Sequence, residues 1–275
     1  MAKPLIAVIF LLASSLCSTA MADAVPESGA MRDGSYENPY FGFALKLPSG
    51  WSAGPEGPRP SLSGYYVLAN LVTAEPEHGS VLIAAQDLFF GDKPFADAAG
   101  MTESLRAGLH DIADLRIDPV TRTVEIGGRP FHRLDYDAGG LYRSWLATDL
   151  RCHVVLFTVT ASTPEIRAKS VEQLDTLSFT DPAAPPCREH YATAQTVLHQ
   201  VEPPEMTPKG LRVPARIVID AAGAVRQVHV LRAEPALRDD ITAALMQWHF
   251  RPYAPEGSPM ALETGLLIGD APRAP

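Results

Sequence analysis

The chain has 275 residues, 46% hydrophobic and 20% charged, which is enough apolar material for one large or two ordinary domains and too much for a chain disordered throughout. The formal charge of −9 argues against a general nucleic-acid binder. No apolar stretch reaches the roughly 20 residues that a bilayer-spanning helix needs.

The first 22 residues read as a signal peptide, with Lys3 as the basic start, Pro4 to Leu16 as the apolar stretch and Ala20-Met21-Ala22 as the cleavage site. The mature chain is expected to begin at Asp23 in an oxidising compartment outside the cytoplasm, with no membrane span left after cleavage. Leu16 precedes Cys17 where lipid attachment wants a small residue, so no lipoprotein is expected. Cys152 and Cys187 then remain, and an even pair in an exported protein favours a disulfide. Two buried thiols are the alternative. The pair also lacks the short spacing of a metal site. The strand starting at Cys152 and the helix after it run out and back, which returns the chain near Cys152 as it reaches Cys187.

Residues 23–34 are small and polar and read as a flexible lead, with order expected from Tyr36. Phe41, Phe43, Leu45 and Leu47 alternate as a strand that turns at Pro48-Ser49-Gly50. Tyr65 to Val72 and Val81 to Phe90 are further strands, separated from Trp51 by a Pro/Gly-rich loop, Gly54 to Pro60. Met101, Leu105, Leu109 and Ile112 form one stripe of a helix. Thr121 to Ile126 and Phe131 to Tyr136 flank Gly127-Gly128 as a hairpin, and Trp145 to Thr148 with Val154 to Thr160 make another. Thr163 caps a second helix with Pro164 at its first position and Ile166, Ser170, Leu174 and Leu177 inward.

This reads as an α+β domain over 35–181, an antiparallel sheet with covering helices. Tyr36-Glu37-Asn38, Phe41-Gly42-Phe43, Leu47-Pro48 and Gly50-Trp51 resemble the opening of PsbP-like and Mog1-like domains. That resemblance implies a binding or assembly module and names no ligand.

Pro-rich residues 182–200 read as a linker to a second domain over 201–275. Residues 23–181 carry 13 basic and 22 acidic side chains, whereas 182–275 carry 9 and 10, so the two parts differ in surface charge. Arg216 to Asp220, a turn through Gly223, Val225 to Leu231, a helix from Pro235 with Leu237, Ile241, Leu245 and Trp248 inward and Arg238 opposite, and Met260 to Ile268 follow as strand, strand, helix, strand. Ile217-Val218-Ile219-Asp220, Gly223 and Val225, the helix with its Trp248-x-Phe250-x-Pro252 exit, and Gly257 and Pro259 resemble the TonB C-terminal domain. The resemblance implies a small β-β-α-β fold that grips an extended protein segment by adding it to the sheet edge. The export signal places the protein in the periplasm, the resemblance links it to TonB-dependent transmembrane transport, and no cofactor is expected. A cleavable N-terminus and a folded domain in place of a Pro-rich spacer depart from an energy transducer. A soluble cell-envelope adaptor is therefore expected, with the transducer and an enzyme of unrecognised type in the first domain as alternatives.

The expected partner edge is the last strand, through Met260, Leu262, Thr264 and Leu266, because too little chain follows Ile268 to cover it. Pairing with a second copy through the same edge, or shielding by the first domain, are the alternatives. Thr264→Pro would remove one ladder donor. Catalytic signatures are missing: the sequence has no G-x-S-x-G, H-E-x-x-H, P-loop or G-x-G-x-x-G. His132, Asp135 and Asp137 with His110 read as solvated strand and loop positions, since His132 and Asp135 point to opposite sides of a strand. Neighbours in a strand also point apart, which argues against Cys152 and His153 as nucleophile and base. Arg216, Arg226 and Arg232 read as ordinary hairpin solvation, or as a basic strip for an acidic partner.

Overall fold

A computed structural model of the chain describes residues 24–73, 79–90, 95–180, 184–203 and 212–269. The signal-peptide reading and the cleavage site lie outside the described residues.

The architecture is α+β, mostly antiparallel sheet with a few helices. In chain order the N-terminal unit contains β1 (Ala30–Arg32), β2 (Ser35–Asn38), β3 (Phe43–Lys46), β4 (Trp51–Ala53), β5 (Tyr65–Thr73), β6 (Ser80–Asp87), α1 (Ala98–His110) and β7 (Arg116–Ile117). It continues with β8 (Arg122–Ile126), β9 (Arg129–Ala138), β10 (Leu141–Leu150), β11 (His153–Ala161), α2 (Pro164–Glu172) and β12 (Leu177–Phe179). One sheet runs β1-β2-β3-β12. The other runs β4-β5-β6-β11-β10-β9-β7, with β8 also on β9.

The continuous apolar run from Val154 to Phe157 in β11 has a physical cause: both faces of its sheet are covered. Val155, Phe157 and Val159 join the main core with Phe43, Tyr66 and Phe131, while Val154 and Leu156 face a smaller core with Ala84, Ala98 and Ala147. Alanines at that second contact let α1 approach closely. The α1 stripe ends sooner than its spacing suggests, because the helix stops at His110 and leaves Ile112 exposed. Thr163 caps α2 as expected, its hydroxyl accepting from the Ile166 amide at 3.3 Å. Gly127 and Gly128 make the β8–β9 turn at positive φ.

Order begins earlier than Tyr36. β1 pairs with β2, Pro26 is buried, and the Asn38 amide donates to the Pro26 carbonyl at 2.9 Å. One backbone-directed side chain inside the first folded strand pair thus ties down a segment whose own composition carries no packing signal.

The C-terminal unit contains β13 (Val197–His199), β14 (Val213–Ile219), β15 (Val225–Val230), α3 (Pro235–Leu245), β16 (His249–Phe250) and β17 (Leu262–Ile268). Its three-stranded sheet has the order β15-β14-β17. The Asp220 carboxylate accepts from the Ala222 and Ala224 amides, both at 2.9 Å, and closes the β14–β15 turn. Gly223 is required there: its φ is +92°, and any Cβ would run into the Phe250 carbonyl oxygen. α3 lays Ile241 and Leu245 on one sheet face, with Trp248 and Phe250 closing the core. Of the segment read as a linker, the described residues from 184 onward are built into this unit. Val197–His199 pairs with β16, and Cys187 bridges to Glu263 in parallel.

Candidate functional site

The face of the β15-β14-β17 sheet away from α3 packs on the N-terminal unit, and a buried charge cluster sits at that junction. Arg216, in the middle of apolar β14, is 2% exposed. Its Nε donates to Glu263 Oε1 at 2.9 Å and one Nη to Asp87 Oδ2 at 2.7 Å, while its guanidinium lies 4.3 Å from the Phe89 ring centre. Gly265 stands opposite Arg216 on β17, and a Cβ there would come within 2.5 Å of Phe89 Cβ, so the glycine is what admits that ring. Glu263 also accepts from Arg151 at 3.0 Å and from the Tyr40 hydroxyl at 3.0 Å. The Arg151 guanidinium stacks 3.9 Å from the Tyr40 ring centre and donates to the Tyr40 carbonyl at 2.9 Å. Arg151 and Cys152 form the β10–β11 turn with φ of 49° and 56°, left-handed backbone without a glycine. The anchored Arg151 side chain holds that turn in place.

Two cations and two carboxylates balance in this cluster, and His153 completes it. The ring is fully buried, with Nδ1 2.8 Å from the Arg151 carbonyl and Nε2 3.4 Å from Asp87 Oδ2. Since that carbonyl can only accept, Nδ1 carries the proton of the neutral ring. Burial first, and then the charge of Arg216, hold His153 well below its usual range. Burial alone would raise Glu263, but Arg216 and Arg151 outweigh it and hold the carboxyl below its ordinary value. Burial, with Glu263 adding to it, pushes the Cys187 thiol up to about 11, which leaves it protonated and a poor nucleophile. The cavity touching Arg216 and Glu263 is about 10 Å³, room for roughly one water and no substrate. These convergent titratable groups therefore act on one another across the two units.

The accessible feature lies further along β17. Glu263 turns both backbone groups away from β14: its amide donates to Pro186 and its carbonyl accepts from Arg188. By the alternation of an antiparallel edge, the amides and carbonyls of Gly265 and Leu267 point the same way. There the chain of residues 186–188 has diverged, and the edge borders a groove of about 430 Å³ walled by Phe89, Phe90, Leu198, Trp248 and Leu266. Leu198 is 58% exposed at its mouth.

The residues expected along the edge of the last strand are placed differently by the structure. Leu262 and Thr264 are fully buried, Leu266 is half-buried, and Met260 lies outside β17, its amide donating to Tyr253. Thr264 pairs inward with Ile217, and its hydroxyl donates to the Arg188 carbonyl, so Thr264→Pro would strike the internal ladder. The disulfide is corrected as well: Cys152 and Cys187 are free, half-buried thiols. The return of the chain does occur, since Cys187 bridges to Glu263, the partner of Cys152's neighbour Arg151. Arg216 belongs to the buried cluster, while Arg226 pairs with Asp220 on the surface at 2.6 Å. Asp135 is occupied by Arg133, Arg122 and Ser144. Among the described residues no group of three or more His, Cys, Asp or Glu is placed to hold a metal ion, and no helix is long and apolar enough to cross a membrane.

No family model and no curated protein matches the chain. Solved structures do. A cyanobacterial PsbP from Synechocystis matches at 14% identity over 59% of this chain and 96% of its own, with a TM-score of 0.38. LpqN of Mycobacterium tuberculosis, described as involved in cell envelope biogenesis, matches at 13% identity over 50% and 83%, with a TM-score of 0.34. A protein of Bacteroides thetaiotaomicron matches at 14% identity over 61% and 52%, also at 0.34. The chain is similar to PsbP-like and LpqN-like folds at low identity.

Proposed function

We infer that the protein is an exported, non-enzymatic adaptor of the cell envelope, with a TonB-like C-terminal domain that holds an extended segment of a protein partner. The observation that carries this reading is the bare edge at Gly265 and Leu267 beside the aromatic-walled groove. An incoming strand would find unpaired backbone groups on one side and a slot for an apolar side chain on the other, the two requirements of strand addition. The β-β-α-β order and the Trp248-x-Phe250-x-Pro252 exit support the TonB-like part. The sealed charge cluster supports a binding role over catalysis, because no substrate reaches its titratable groups.

Leu198→Glu places a charge in the groove at an exposed position, so folding should be unaffected. Recovery of envelope partners should fall at least tenfold against wild type, with the circular dichroism spectrum unchanged. Equal recovery by the folded variant would remove the groove as the partner site. Export predicts an N-terminus at Asp23 on the envelope-extracted protein, and an intact Met1 in the membrane fraction would favour the transducer instead.

A further inference from the structure

The opposite edge of the same sheet opens into a larger space. A cleft of about 670 Å³ separates β15 and α3 from the Gly54–Pro60 loop and the middle of β5. Sites for ligands form preferentially at such junctions between units, and this volume lies within their usual range. The Leu231 amide donates to the Pro214 carbonyl at 3.0 Å, so odd-numbered positions of β15 from Gln227 onward face β14. The amides and carbonyls of Val228 and Val230 therefore face outward into the cleft. β15 is the end strand of its sheet.

Arg238, a position the helical stripe would leave in solvent, reaches into this cleft from α3. Its Nε is buried and makes no hydrogen bond, and one Nη donates only to the Ala233 carbonyl at 3.4 Å. No carboxylate among the described residues pairs with it. By formal charge the lining of the cleft balances, Glu27 and Glu56 against Arg59 and Arg238. His229 Nε2 lies 3.3 Å from Glu27 Oε2, and Glu56 and Arg59 are both exposed on the loop. Of these four charges Arg238 alone is half-buried, it has no ion-pair partner among the described residues, and its guanidinium presents a planar fork suited to a carboxylate.

We propose that this cleft binds an extended peptide carrying a carboxylate, by strand addition to the outer edge of β15 with the carboxylate on Arg238. The two outward residues of β15 match the repeat of a peptide backbone, which a compact anion lacks. Val228, Val230 and Leu231 supply apolar lining for the peptide's side chains. The site is independent of the β17 groove and would hold its peptide between the two units.

The experiment uses the full chain, immobilised and exposed to an equimolar mixture of random hexapeptides, with retained peptides read by mass spectrometry. Wild type should retain peptides enriched at least threefold in Asp and Glu, or in a free C-terminus. A parallel mixture with amidated C-termini separates those two sources of carboxylate. Arg238→Gln should abolish the acidic enrichment. Val228→Pro, which removes an outward amide and spares the β14 ladder, should reduce retention of the acidic peptides at least fivefold. Leu198→Glu should leave the acidic enrichment unchanged. No enrichment by wild type, or an enrichment that survives Arg238→Gln, overturns the proposal. Loss in Leu198→Glu alone would assign the peptides to the β17 groove and leave the functional reading standing without the second site.

Discussion

Arg216→Met is expected to destabilise the protein by about 3–5 kcal/mol, the usual cost of removing one member of a buried ion network. Methionine keeps the apolar stem and removes the charge. Glu263 would then keep Arg151, but Asp87 would be left with a buried negative charge whose 2.7 Å partner is gone. The loss comes from that uncompensated carboxylate more than from the attraction lost, which gives a second arm. Arg216→Met with Asp87→Asn restores the balance, one cation against one anion, and the Asn side-chain carbonyl can still accept from the Phe89 amide as Asp87 does at 2.7 Å. The double variant should recover about half of the loss or more. Urea unfolding at neutral pH reads both. A single-variant cost below about 1 kcal/mol would mean the cluster does not hold the two units together.

Acid should weaken the folded state in two steps of the same sign. His153 is neutral in the fold, held well below its usual value near 6.5 by burial and then by the charge of Arg216. Asp87, Glu263, Arg151 and Tyr40 also face it from β6, β17, the β10–β11 turn and the loop after β2. An unfolded chain takes up a proton near pH 6.5 that the folded chain refuses. Stability is therefore complete above that pH and falls as pH drops below it, by at most about 1.4 kcal/mol per pH unit for one proton. Glu263, held below its ordinary 4.5, adds a second loss as pH falls below that value, because the fold needs it ionised. His153→Gln should be less stable at pH 7.5 yet flatter between pH 6.5 and 5, since its amide can still donate to the Arg151 carbonyl and does not titrate. Parallel pH profiles for wild type and variant in urea unfolding would remove His153 as the origin of the first step.

Much of the fold can be read directly from local pattern. Alternation in Phe43 and Leu45, the paired glycines at 127 and 128, the Thr163-Pro164 cap and the strand, strand, helix, strand order after Arg216 each depend on neighbours within one turn or one hairpin. Backbone preference and hydrophobic period act at that range, so the elements could be placed without knowing what they pack against. The exclusions drawn from charge and length belong to the same level.

The candidate sites are different, because each is made by residues far apart in the chain. Arg216 in an otherwise apolar strand was the one visible sign of the cluster, since a charge at such a position needs a buried partner. Its partners Asp87 and Glu263 come from other strands and carry no local mark. The last strand shows the same limit. Its apolar alternation was legible, but which part of its edge stays bare depends on residues 186–188 returning to pair at Glu263 and on Phe89 packing over Gly265. The cysteine pair follows suit: sequence brings the chain back toward Cys152, and only the packing at the junction decides that the two thiols stay apart. Local interactions determined which elements exist. The meeting of the two units decided which polar groups were buried in pairs and which were left facing a cleft, because hydrogen-bond satisfaction is accounted for across the whole fold.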